Sequence, residues 1–180
     1  EARYAGAAVA WEDYIYLVGG VGSGSTNAVL RYDPTMDSWA VLAAHRQRRE
    51  HVAAAVLAGE IYLLGGRLDR DFNIVEIYNI AEDRWRAGNS MKEKRTGFGA
   101  VTIGDRIYAA GGELLFEGKT LDTVEYYDGE TRQWQLAEFE LPTPLHGVPL
   151  ATDGVNLYVV GGSGIVGTVS NRGDLFVIEP

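Results

Sequence analysis

The chain has no cysteine. That excludes disulfides, thiolate metal sites and a cysteine nucleophile, and it leaves the compartment open. No apolar run reaches the ~18 residues that a membrane-crossing helix needs, so no membrane partner is expected. No basic-then-apolar leader follows Glu1, so no signal peptide is read. Positive charge is scarce, with 16 Lys and Arg against 25 Asp and Glu and a net charge of −9. A general nucleic-acid binder needs a positive surface, so that partner class is not expected either. With three histidines in all and neither Cys nor a second His at ligand spacing from His51, no metal site and no cofactor are expected.

What the chain has is a repeat. Adjacent glycines recur at Gly19-Gly20, Gly65-Gly66, Gly111-Gly112 and Gly161-Gly162, spaced 46, 46 and 50 residues apart. A fixed period in the range of roughly 20–50 residues means several copies of one supersecondary unit. Each pair closes a short run with a tyrosine three residues upstream: Tyr16, Tyr62, Tyr108 and Tyr158. These runs are rich in β-branched and aromatic residues and read as strands. A small-residue run precedes each of them, with Gly59-Glu60, Gly104-Asp105 and Asp153-Gly154 at hairpin turns. A third run ends in Tyr32-Asp33, Tyr78-Asn79 and Tyr127-Asp128, and Trp39, Trp85 and Trp134 each follow their tyrosine by 7 residues. A constant interval needs a turn of constant length, and Asp33-Pro34-Thr35-Met36-Asp37 has that composition. Each unit is therefore expected to be a four-stranded antiparallel meander. Residues 43–58 would pass as a helix on propensity, but their register with the other copies predicts a loop and then a strand.

Diglycine, tyrosine and tryptophan at this spacing resemble the kelch motif, in three full copies and one partial copy. The resemblance implies an all-β fold, a β-propeller of four-stranded blades, with about three and three-quarter blades in this chain. The expected blades are 1–44, 45–90, 91–141 and a partial blade 142–180, forming one propeller domain or part of one. In such a fold Tyr16, Tyr62, Tyr108, Tyr158, Trp39, Trp85 and Trp134 are expected in the core; Trp11, which has no counterpart in the other copies, is expected to be partly exposed. Most kelch rings have six or seven blades, so three resolutions stay open: a piece of a longer propeller, a ring shared by two chains, or an unusual four-bladed closure. An open stack exposes apolar blade faces and unpaired edges, a route to self-association.

Strand alternation puts the second-to-third loops and the fourth-to-first connections on one face. The former are long and varied, and variable loops on a rigid scaffold commonly carry binding. The latter are basic, with His45 to His51 including Arg46, Arg48 and Arg49, and Lys92 to Arg95. Arginine forks suit carboxylates. The candidate ligand-binding residues are Arg67, Arg49, Arg95, His51 and Arg3. Arg67 leads because it does not repeat: Val21, Glu113 and Ser163 hold its place in the other units. Arg3, Arg49 and Arg95 do repeat, which also fits a role in bracing the blade. Asn27 and Asn171 read as caps of third strands.

The function expected is a protein- or peptide-binding module for an acidic partner. One alternative is a carbohydrate-binding or sugar-isomerising propeller. It would need acid–base residues converging on the channel; Asp69, Asp71, Glu113 and Glu117 lie on suitable loops but read as solvated acids. The other alternative is a scaffold segment of a larger assembly. No residue is assigned a catalytic role.

Overall fold

The computed structural model describes residues 2–24, 26–170 and 173–180; the expected cap Asn171 lies outside them. All regular structure among the described residues is strand. Blade 1 is β1 (Ala7–Trp11), β2 (Tyr14–Val18), β3 (Val29–Asp33) and β4 (Ser38–Leu42). Blade 2 is β5 (Ala53–Leu57), β6 (Glu60–Leu64), β7 (Val75–Asn79) and β8 (Arg84–Ala87). Blade 3 is β9 (Gly99–Ile103), β10 (Arg106–Ala110), β13 (Thr123–Asp128) and β14 (Gln133–Glu140), with a small ribbon of β11 (Glu113–Leu114) and β12 (Lys119–Thr120) in its long loop. Blade 4 has three strands: β15 (Leu150–Thr152), β16 (Leu157–Val160) and β17 (Leu175–Ile178). Every sheet is an antiparallel meander in chain order. Residues 43–58, helical on propensity alone, form a loop and then β5.

The seven-residue interval has a direct cause. It places Tyr32 opposite Trp39, Tyr78 opposite Trp85 and Tyr127 opposite Trp134 on neighbouring strands. Their ring centroids lie 4.9, 5.1 and 5.5 Å apart, the range of favourable aromatic pairs. The acid or amide after each tyrosine holds the turn. Asp33 Oδ1 accepts from Thr35 N, Asn79 Oδ1 from Glu82 N and Asp128 Oδ1 from Thr131 N, as an Asx turn does.

The diglycines join one blade to the next. Gly20, Gly66 and Gly112 donate their N–H to the carbonyls of Arg49, Arg95 and Leu145 in the following blade. A side chain at Gly65 would bring a Cβ to 2.5 Å from the Arg95 carbonyl oxygen, and Gly65 also has φ +51°. Only glycine meets both demands. A second line of bonds runs further in. His51 N donates to Ala5 O, Gly97 N to His51 O and Gly147 N to Gly97 O, at 2.7, 2.9 and 2.5 Å. All four of these residues have positive φ, so the chain turns left-handed at the same point in each blade.

The core lies in three clusters, one at each blade seam. Tyr16, Tyr62, Tyr108, Trp85 and Trp134 are buried as expected, Tyr158 is half-buried, and Trp11 is partly exposed. Trp39 is a correction, because it is 56% exposed. Trp85 packs on blade 1 and Trp134 on blade 2, whereas no described residue covers the corresponding face of blade 1. On the same face Ile15 and Val41 are exposed, and on the far side of blade 4 so are Leu175 and Val177. Among the described residues no backbone hydrogen bond joins blade 4 to blade 1. Among the described residues the four blades form a propeller whose blade 1 and blade 4 outer faces are left uncovered.

Candidate functional site

The repeated arginines are internal. Arg49 and Arg95 are 0% exposed. Arg49 donates to the Glu76 carboxylate and to Leu63 O. Arg95 donates to Glu125 at 2.9 Å and to the carbonyls of Gly111 and Thr123, each at 2.8 Å. Arg3, half-buried, reaches the carbonyls of Gly19 and Ala28. The two glutamates also take N–H groups from the incoming connection: Arg46 N on Glu76, Lys92 N on Glu125. Burial alone would raise the Glu76 pKa, but the His45 ring at 3.6 Å and the adjacent Arg49 guanidinium bring it down to about 2. Arg49 and Arg95 therefore offer no group to a ligand; their place is inside the blade.

The same positions in blade 4 hold Leu145 and Phe176, both in the third apolar cluster. The missing arginine at Leu145 is thus matched by a missing glutamate. An uncompensated buried charge is costly: Arg49 and Arg95 each keep a glutamate and blade 4 drops both, while in blade 1 Leu30 holds the glutamate's place and Arg3, only half-buried, bonds the carbonyls of Gly19 and Ala28 instead.

Two columns that do not repeat meet where the long loops begin. Tyr4, Glu50, Thr96 and His146 bridge to Val21, Arg67, Glu113 and Ser163, the residues just after each diglycine. Arg67 is the hub. It donates to Glu50 at 3.1 Å, Thr96 at 3.2 Å and Glu113 at 2.7 Å, and lies 3.2 Å from His51 Nε2. Its side chain is 13% exposed. His51 is half-buried, and burial, aided by Arg67, pushes its pKa down. Of the candidate residues, Arg67 and His51 come together here, while Arg3, Arg49 and Arg95 do not.

Glu113 and Asp71 were expected as solvated acids and are instead buried at 1% and 4%. Glu113 accepts from Arg67 and from Gly167 N and faces His146 Nδ1 at 3.5 Å. Asp71 accepts from Phe116 N, and burial raises its pKa. Ser163, His146 and Glu113 resemble a hydrolase triad in residue type only. His146 Nε2 donates to the Ile165 carbonyl at 2.8 Å, so that nitrogen carries a proton and is not a base toward Ser163. Among the described residues no cluster of His, Cys, Asp and Glu could hold a metal.

Sequence reading missed Glu50, Thr96 and His146. Their signal was available: each directly follows the Arg49, Arg95 or Leu145 position, and that column varies inside a repeating frame. Outside the hub, Arg46, Arg48, Arg70, Lys92 and Lys94 are exposed on the same loop face. Lys94 pairs loosely with Glu117 at 3.6 Å and Arg70 with Asp69 at 3.8 Å. Asn27 ties its loop to this face by donating to His45 O, as Asn73 does to Met91 O.

The kelch motif matches residues 2–44, 48–92 and 94–138, one match for each four-stranded blade. The chain belongs to the kelch family. Kelch propellers serve generally as protein-interaction modules. Among solved structures, one described as "Structure of YjhT" matches with a TM-score of 0.79 at 20% identity, over 91% of this chain and 59% of that one. At that identity the likeness is one of fold, and this chain spans 59% of the other's length. No curated protein matches the chain.

Proposed function

We propose that this kelch propeller is a protein-binding module that takes an acidic segment of its partner on the long-loop face. The observation that carries the reading is the gathering of exposed cations there, Arg46, Arg48, Arg70, Lys92 and Lys94, on a chain of net charge −9. Such a local field steers an acidic partner and sets orientation more than it adds raw affinity. Arg67 lies at the floor of this face, already held by Glu50 and Glu113. Its role is a preorganised fork that an incoming carboxylate reaches by displacing Glu50, its longer contact.

The test is a set of acidic peptides titrated against the wild-type chain and an Arg46→Glu, Arg48→Glu, Lys92→Glu variant. At least tenfold weaker binding and a flatter salt dependence are expected. Unchanged affinity would remove the assigned face. A scaffold role is a second reading, favoured by the bare faces at Trp39 and Val41 and at Leu175 and Val177. It predicts that the same reversal leaves assembly intact.

A further inference from the structure

The three seams are not filled alike. On the short-turn face, between blades 2 and 3, lies a cavity of about 490 Å³ lined by Leu57, Glu60, Tyr62, Ile77, Tyr127 and Arg132, among others. Ligand pockets commonly run from about 300 to 1,000 Å³.

The repeat shows what has been removed to make it. Forty-six residues earlier, Leu57, Glu60 and Ile77 are Trp11, Tyr14 and Arg31. At the seam between blades 1 and 2 Trp11 and Tyr14 pack on the cluster. Trp11 reaches the turn of blade 2, where a Cβ on Gly59 would lie 3.7 Å from its ring. The Arg31 guanidinium lies 4.3 Å over the Tyr14 ring. Opposite them Ile80 joins the cluster, and Asp83 accepts from Tyr78 Oη and Ala43 N. In blade 3 these two are Gly129 and Arg132, both lining the cavity. The seam between blades 3 and 4 is again occupied, with the Arg106 guanidinium 4.8 Å over Tyr126. The Trp11 ring is replaced in both later seams, by Leu57 and Ile103, but among the described residues the middle seam alone also lacks a cation stacked on a ring and has Gly129 in the place of Ile80.

From this we propose that the cavity between blades 2 and 3 is a binding site for a small planar aromatic amine. The ring takes the place that Trp11 fills next door, against Leu57, Ile77 and the Tyr62–Tyr127 pair, whose centroids are 5.2 Å apart. The ammonium takes the place of the Arg31 charge. Its counter-charges are Glu60, Asp105 and Glu130, against Arg86 and Arg132 on the same rim. Glu60 is partly neutralised by Arg86 at 2.6 Å, which leaves the other two carboxylates to set the preference for a cation. This site is on the face opposite the proposed protein-binding one and does not depend on it.

Tryptamine is the probe, titrated by calorimetry, with indole-3-acetate as the same ring with the opposite charge. Saturable one-site binding of tryptamine is expected, at least tenfold tighter than indole-3-acetate. Leu57→Trp restores the ring of the filled seam at a partly exposed position, and is expected to abolish binding. Should that variant not fold, Asp105→Asn with Glu130→Gln, both at exposed positions, replaces it, with at least a fivefold loss expected. No saturable binding to the wild-type chain, equal binding by a folded filled-seam variant, or a preference for indole-3-acetate would each overturn the proposal.

Discussion

Arg95 donates to Glu125 at 2.9 Å within blade 3, and neither side chain reaches solvent. The equivalent places in blade 4 are apolar, Leu145 and Phe176. Removing one partner of such a pair leaves a buried charge with nothing opposite, which costs about 3–5 kcal/mol. Arg95→Leu alone is therefore expected to lose that much stability in denaturant unfolding. Arg95→Leu with Glu125→Phe, the blade 4 solution, is expected to recover at least half. Additive losses in this double-mutant cycle would contradict the coupling.

Acid is expected to destabilise the chain in two stages. Burial lowers the His45 and His51 pKa values below 6.5 in the fold. The unfolded chain then binds protons first, so stability present above pH 6.5 declines as pH falls below it. Glu76 is held at about 2 against 4.5 for the free group. Its contribution is complete above pH 4.5 and is lost as pH falls toward 2. Thermal midpoints measured from pH 8 to 3 should show both declines. His45→Gln should flatten the upper one; an unchanged slope would assign it elsewhere.

Gly65 and Gly104 separate two costs. Both have positive φ, +51° and +59°, but a Cβ on Gly65 meets the Arg95 carbonyl at 2.5 Å while one on Gly104 meets nothing within 4 Å. Gly104→Ala should therefore show only the conformational cost of about 1 kcal/mol, and Gly65→Ala clearly more. Equal losses in chemical denaturation would mean that the close approach of blades carries no energy.

Trp39 is 56% exposed, against 9% for Trp85 and 1% for Trp134. Acrylamide should quench a distinct red-shifted fraction of the fluorescence, and Trp39→Phe should remove it. If copies cover the bare face of blade 1, that fraction becomes protected as protein concentration rises.

The blade was legible because its determinants are local and repeat. The tyrosine-to-tryptophan interval fixes a turn length, and the strand runs carry their own β-branched pattern. The diglycine was legible as a marker, while its reason, a carbonyl from the next blade where a Cβ would sit, belongs to packing. Trp39 shows the limit most clearly. Its sequence context matches Trp85 and Trp134, yet what covers a ring is decided by the neighbouring blade.

The same division runs through the candidate sites. The sequence alone determined the all-β repeat, the order of strands within each blade and the face on which long and basic loops gather. It could not tell a buried arginine from an exposed one. Arg49 and Arg67 differ only in column, and their burial is set by Glu76 in one case and by Glu50 and Glu113 in the other. Those partners lie 17 to 46 residues away; Glu76 and Glu50 meet their arginines only when blade 2 folds, and Glu113 only when blade 3 stacks on it. The cavity at the middle seam is likewise a product of stacking. It forms from Leu57 and Ile77 on one blade and Gly129 and Arg132 on the next, since a space between two sheets belongs to neither sequence segment by itself.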